Sequence, residues 1–218
     1  MKRTDRKKLL ELYEGRYARF GYDVKTVGWK DKKTQHLRFD VLAGIADLSG
    51  CSICDLGCGF GDLYTYLLKK FKKVNYLGID LSGKLIEEAK IHYPDAVFMT
   101  RDILKDPLKK KVDYILSSGA LSFKIKNHGN YVWRMFEAMM AMSLKGVAVN
   151  FLSSYVDYKL EKNFHFSPER AFKMGRELTP YVTIRHDYPL YEFTLYLYHY
   201  PPRRDKNRGK RRMLWRIR

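Results

Sequence analysis

The chain has 218 residues, of which 45% are hydrophobic and 15% aromatic; this composition excludes a disordered chain and suits one globular domain. No apolar run approaches the roughly 20 residues that span a bilayer, and the charged N-terminus leads into no apolar signal-peptide core. We therefore expect a cytoplasmic protein that has no membrane partner.

The formal net charge of +18 is concentrated at the two ends of the chain. Residues 2–8 carry a net charge of +4 and residues 201–218 carry +8, which leaves +6 for the remainder. Basic arms commonly bind polyanions, because each neutralised phosphate releases a counterion. We predict RNA as the partner of both arms; a solvated tail that only aids solubility, or a thermophilic surface bias, is the alternative.

The three cysteines, Cys51, Cys54 and Cys58, lie within one short segment. An odd number so placed is not a disulfide framework. Cys51 and Cys54 have the spacing of half a metal site, but residues three apart on a strand point to opposite faces, and no further ligand is near. We expect no bound metal.

Two helices are predicted before the first strand. Residues 3–19 carry an apolar stripe that includes Leu9 and Tyr13, and Gly21 ends this helix. Thr34 could cap a second helix over residues 34–48.

From residue 52 the chain alternates short apolar strands with helices. We predict strands at residues 52–56, 75–80, 95–100, 112–117 and 147–152, and helices at residues 62–71, 82–92 and 131–142. This alternation predicts a parallel sheet with helices on both faces. A further helix begins at Ser167-Pro168, and residues 181–185 and 192–199 form two antiparallel strands.

The turn after the first strand reads Asp55-Leu56-Gly57-Cys58-Gly59-Phe60-Gly61. Its glycines permit a tight turn and close approach of a ligand to the backbone. A dinucleotide fold would need a glycine where Asp62 stands. An acid before the turn would repel a pyrophosphate but attract a cation such as the ammonium of S-adenosylmethionine (SAM).

Two further acids follow the next two strands. Asp80 ends the second strand, where a carboxylate can accept hydrogen bonds from ribose hydroxyls. Asp102 follows the third strand and could hold an adenine amino group, with Ile103 against the ring. The carboxyl ends of parallel strands share one sheet edge, so these acids line one crevice.

With these features the chain resembles the class I SAM-dependent methyltransferases over roughly residues 35–200. The resemblance implies a doubly wound, mostly parallel, seven-stranded Rossmann-like α/β sheet whose last strand is antiparallel, with N-terminal helices. It divides the chain into an N-terminal helical arm or lid (residues 1–33), a methyltransferase domain (residues 34–200) and a basic C-terminal tail (residues 201–218).

The same resemblance implies that SAM is the cofactor and S-adenosylhomocysteine the product. Glycines of the turn would wrap the methionine part, Asp80 would hold the ribose, and Asp102 with Ile103 would hold the adenine. Arg38 could pair with the SAM carboxylate and Trp29 could cover the site; a surface ion pair and a core anchor are the respective alternatives. The predicted cofactor-binding residues are Trp29, Gln35, Arg38, Asp55, Gly57, Cys58, Gly59, Gly61, Asp80, Leu81, Asp102, Ile103 and Ser118.

In this fold the methyl acceptor binds after the fourth strand, where Ser117, Ser118 and Phe123 are the predicted catalytic residues. Enzymes of the family that methylate base amines usually carry Asp, Asn or Ser followed by Pro-Pro and an aromatic residue; this chain lacks the prolines. The segment after the fifth strand adds three candidates, Tyr155, Asp157 and His165, which could grip a flipped base.

The predicted function is methylation of RNA at a base nitrogen of structured rRNA or tRNA, with cytosine N4 of small-subunit rRNA as one specific possibility. The alternatives are a small-molecule methyltransferase, a protein methyltransferase and a SAM-binding ribosome-assembly factor without turnover. We expect a monomer.

Overall fold

The computed structural model describes residues 1–202, which form seven strands and six helices. The helices are α1 Arg3–Phe20, α2 Lys32–Ala43, α3 Asp62–Lys70, α4 Gly83–His92, α5 His128–Met142 and α6 Pro168–Leu178. The strands are β1 Ser52–Leu56, β2 Asn75–Asp80, β3 Val97–Thr100, β4 Val112–Ser117, β5 Ser143–Leu152, β6 Tyr181–Arg185 and β7 Glu192–Tyr198.

The strands form one sheet in the order β3-β2-β1-β4-β5-β7-β6. Strands β1 to β5 pair in parallel, and β7 runs antiparallel to both of its neighbours, β5 and β6. The predicted Rossmann-like methyltransferase sheet with an antiparallel last strand is confirmed. Because the chain reverses its winding direction between β1 and β4, a crevice opens at their carboxyl ends, where ligands bind in sheets of this kind.

Two apolar clusters cover the two faces of the sheet. One includes Met139 of α5 and Ala171 of α6; the other includes Leu42 of α2, Leu67 of α3 and Ile86 of α4. Cys54 packs in the first cluster and Cys51 in the second, as expected for residues three apart on an extended chain.

The limits of three elements differ from the prediction by three residues or more. α2 is capped by Asp31, whose Oδ1 accepts the N–H of Thr34 at 2.7 Å, so Thr34 lies inside the helix and does not cap it. α2 ends at Ala43 instead of residue 48, and α5 begins three residues early at His128. β5 begins at Ser143, four residues before the predicted start, because Ser143 pairs with Val112 of β4, a contact between distant residues that local periodicity does not reveal.

Candidate cofactor and acceptor site

The glycine turn between β1 and α3 presents bare backbone to the crevice. Gly57 has φ of +76°, and a Cβ added there would lie 2.4 Å from the Cβ of Ala120. The carboxylate of Asp80 holds the turn, because its Oδ2 accepts the N–H of Gly59 at 2.9 Å while its Oδ1 accepts the N–H of Ser82 at 2.9 Å. The turn is therefore packed too closely for a side chain at Gly57, and it is held by a fixed acid.

Asp55 lies beneath this turn and is 2% exposed. The hydroxyl of Tyr76 donates to its Oδ2 at 2.7 Å. Burial raises the pKa of Asp55 to about 7, against the lowering effect of that hydrogen bond, and the nearby charges of Asp80 and Asp62 raise it further. Burial also raises the pKa of Asp80. Burial thus disfavours the ionised forms of both carboxyl groups, and a bound cation would stabilise those forms.

One cavity runs along the carboxyl ends of β1, β2 and β4 and brings most of the predicted cofactor-binding residues together. Those that line it are Trp29, Gln35, Asp55, Gly57, Cys58, Gly59, Asp80, Leu81, Asp102, Ile103 and Ser118. Gly61 is not among them; it has φ of +80° and caps α3, and its Cα faces the ring of Phe98.

Helix α1 covers this cavity. None of its residues is among the predicted cofactor-binding residues. Leu9, Leu10 and Tyr13 line the cavity. The hydroxyl of Tyr17 donates to Glu88 of α4 at 2.7 Å, and Arg6 lies 3.8 Å from Asp102. The apolar stripe of α1 was visible in the sequence, but nothing local shows which surface the stripe packs against.

Arg38 does not line the cavity. Its guanidinium donates to both carboxylate oxygens of Glu192, at 2.8 and 2.9 Å from Nε, and stacks 4.1 Å from the ring centroid of Trp29. The structure therefore favours the ion-pair alternative for Arg38, although the pair is buried and not on the surface. The sequence did not indicate Glu192 as the partner of Arg38, because the two residues lie 154 positions apart in the chain.

The predicted acceptor residues after β4 have different surroundings. Ser117 is fully buried and its hydroxyl donates to the carbonyl of Leu56 at 2.9 Å, so it joins β4 to β1. Ser118 lines the cofactor cavity, and its buried Oγ has no hydrogen-bond partner among residues 1–202. Phe123 forms a bridge with Asn163, which joins the segment after β4 to the segment after β5.

A second, mostly apolar cavity lies beside that joined region. Asp157 and His165 line it, with Leu152, Val156, Tyr158, Leu160, Asn163 and Tyr191. Nδ1 of His165 lies 2.9 Å from the carbonyl oxygen of Ser153. Tyr155 lies outside both cavities; its exposed side chain hydrogen-bonds Glu169.

The geometry fits SAM. A turn with three glycines, buried acids beside it and the apolar Ile103 match the backbone, cation and ring contacts that the cofactor requires. Residues 53–141 match the methyltransferase domain family. Magnesium protoporphyrin IX methyltransferase (ChlM) of Synechocystis, solved with bound S-adenosylhomocysteine, shares this fold at a TM-score of 0.67 and 16% identity, covering 89% of this chain and 99% of that one.

A sequence relative decides the family. "Putative methyltransferase Rv1506c" of Mycobacterium tuberculosis is 30% identical over 154 residues, which cover 66% of this chain and 90% of that protein. This chain belongs to the class I SAM-dependent methyltransferases. It is a SAM-dependent enzyme, and the SAM cofactor predicted from the glycine turn is confirmed.

Two further relatives of this methyltransferase carry names that state a substrate. Trans-aconitate 2-methyltransferase of Afipia carboxidovorans is 32% identical over 75 residues, 34% of this chain and 29% of that protein. Ribosomal RNA small subunit methyltransferase A of Pelagibacter ubique is 29% identical over 124 residues, 52% of this chain and 47% of that protein. The methyltransferase spans less than half of either relative, so both matches reach only part of those proteins.

The cysteines of the methyltransferase are not poised as nucleophiles. Burial raises the pKa of the Cys54 and Cys58 thiols, which therefore stay protonated at neutral pH. Within residues 1–202, no group of three His, Cys, Asp or Glu side chains could hold a metal ion. None of the helices described there is both long and apolar enough to span a bilayer.

Proposed function

We propose that this methyltransferase transfers the methyl group of SAM to a small-molecule acceptor. The observation that carries the proposal is the cover over the cofactor site: Leu9, Leu10 and Tyr13 of α1 line the cofactor cavity, and a second, mostly apolar cavity lies after β5. A covered site of this kind admits a compact acceptor, whereas a structured RNA needs an open, basic groove. The names of the trans-aconitate and magnesium protoporphyrin enzymes support the same class.

The RNA hypothesis receives less support. Residues 3–8 of the predicted N-terminal basic arm belong to α1, where Arg6 faces Asp102 at the cofactor cavity. Residues 203–218, which hold the C-terminal basic run, lie outside the described residues. RNA methylation remains the second candidate, and the similarity to the ribosomal RNA methyltransferase of Pelagibacter ubique supports it.

For the cofactor we propose the roles that the resemblance implies. The Gly57–Gly61 turn would hold the methionine part, Asp55 its ammonium, Asp80 the ribose hydroxyls, and Asp102 with Ile103 the adenine. Each of these acids lines the same cavity, and Asp80 is already fixed by two backbone N–H groups. SAM would supply an electrophilic methyl carbon on its sulfonium: the acceptor would form a bond to that carbon, and S-adenosylhomocysteine would leave with the electron pair of the broken C–S bond.

For the acceptor we propose that His165 removes the proton. A carbonyl oxygen only accepts hydrogen bonds, so the contact with Ser153 places the ring hydrogen on Nδ1 and leaves a lone pair on Nε2. Nε2 is buried and has no partner among residues 1–202. Asp157 and Tyr191 line the same cavity. Because Nε2 is covered, residues of this segment must shift before an acceptor reaches it.

The decisive test offers radiolabelled SAM and the purified protein to three extracts in parallel: metabolites, total RNA and protein. We expect label in the metabolite fraction, and we expect His165→Gln to lower that incorporation by about a hundredfold or more, within the range of general-base catalysis. Label in RNA alone would establish the second candidate, and label in protein alone would overturn both. SAM binding without transfer to any fraction would identify a SAM-binding factor without turnover.

A further inference from the structure

Behind the cofactor cavity lies a chain of buried polar side chains from α2, β5 and β7. Glu192, the first residue of β7, is 3% exposed and is held by the guanidinium of Arg38. The amide Nδ2 of Asn150 donates to Oε2 of Glu192 at 2.9 Å. A buried ion pair is by itself weak evidence for stability, because desolvation offsets its attraction. A functional role for this ion pair must therefore be argued from the contacts that Asn150 and Arg38 make with the cofactor site.

At one end, Oδ1 of Asn150 accepts the backbone N–H of Gly119 at 2.6 Å. A carboxylate only accepts hydrogen bonds, so Glu192 obliges Asn150 to turn its NH2 group inward and its oxygen toward Gly119. The charge on β7 thus fixes which atom of Asn150 meets the loop after β4.

At the other end, the guanidinium of Arg38 stacks on Trp29, and the ring of Trp29 lies against Gly119. Gly119 has φ of +70°, and a Cβ there would lie 2.4 Å from Cη2 of Trp29. The next residue, Ala120, packs against Gly57 of the glycine turn. The same loop is therefore held from two sides by one chain of contacts.

We propose that Glu192, Arg38 and Asn150 are positioning residues that hold the loop of residues 118–120 and Trp29 in place around SAM. They act through Gly119 and Trp29, since Arg38, Asn150 and Glu192 do not line the cofactor cavity. This positioning role concerns SAM binding and holds for any acceptor class.

The test measures SAM affinity by calorimetry in Glu192→Gln. The substituted side chain cannot accept at both of its ends, so Asn150 turns its own oxygen toward the new amide group and points its NH2 group at the N–H of Gly119. We expect SAM affinity to fall about tenfold or more, the cost of losing a charge-assisted hydrogen bond. Thermal unfolding of each variant separates lost binding from lost folding.

A reciprocal variant keeps the test decisive if the single change weakens the fold. In Asn150→Asp with Glu192→Gln the buried charge is retained, and a carboxylate at position 150 accepts from both Gly119 and the new amide. We expect this pair to recover most of the SAM affinity that Glu192→Gln loses. A merely structural role predicts no such recovery of binding.

The matched control is Asp113→Asn, which breaks the Asp113–Lys145 ion pair of 2.9 Å between β4 and β5 at the opposite edge of the sheet. We expect its SAM affinity to equal that of the native protein. Native affinity in Glu192→Gln, an equal loss in Asp113→Asn, or no recovery in the reciprocal variant would each overturn the proposal.

Discussion

Asp55 couples the site to pH, because burial raises its pKa to about 7 in the folded protein, while an exposed aspartate titrates near pH 4. Between these values the folded chain keeps a proton that the unfolded chain loses. The stabilising contribution of Asp55 is thus complete below about pH 4 and is lost as pH rises through about 7. We expect Asp55→Asn to reduce the fall in unfolding free energy between pH 4 and 8, measured by urea denaturation.

The unfolding free energy of Asp55→Asn should still fall somewhat with pH, because burial raises the pKa of Asp80 as well. An unchanged pH dependence in Asp55→Asn would show that Asp55 ionises normally in the folded protein. If Asp55 binds the SAM ammonium, calorimetric affinity of the native protein should also rise with pH through about 7. The asparagine variant should lose that rise.

Asp80 allows a second prediction at the scale of one residue. Replacing it by alanine removes the proposed ribose acceptor and frees the N–H groups of Gly59 and Ser82. We expect SAM affinity to fall about ten- to a hundredfold, in line with the loss of charge-assisted hydrogen bonds. The control is Asp47→Ala, an exposed aspartate just before β1, at the far edge of the sheet. Equal SAM affinities by calorimetry would refute the placement of the ribose.

Among the elements, α1 makes the contribution that is hardest to recognise from the sequence. Its inner face, with Leu9, Leu10 and Tyr13, forms part of the cavity wall. Burial raises the pKa of Tyr13, against the lowering effect of the Arg16 charge, and the charge of Asp80, which lines the same cavity, raises it further. An element that is distant in sequence from the glycine turn therefore completes the site.

We expect Tyr13→Ala to lower SAM affinity by about thirtyfold, because the cavity loses an apolar wall whose burial stabilises by about 2 kcal/mol. Glu11→Ala is the matched control on the exposed side of the same helix. Calorimetry should separate the two variants, while circular dichroism confirms that both keep their helix content. A loss of affinity common to both would point to unfolding of α1 instead of a missing contact.

For the whole molecule, the small-acceptor proposal predicts that the basic tail is dispensable. Both cavities lie within residues 1–202, so a protein truncated after residue 202 should retain SAM binding and incorporate label into the metabolite fraction at the native rate. The RNA hypothesis predicts instead that truncation weakens RNA binding and flattens its dependence on salt. Electrophoretic mobility shifts at two salt concentrations would distinguish the two outcomes.

The sequence by itself determined the sheet, the glycine turn and the acids at Asp55, Asp80 and Asp102, because strand periodicity and turn chemistry are local properties. It also indicated the cofactor, since the acid before the turn selects a cation. Only the tertiary structure decided the partner of Arg38, the cover formed by α1 and the burial of Ser117. Those facts depend on contacts between residues far apart in the chain, and no local pattern specifies which distant surface an apolar stripe or a charged side chain will meet.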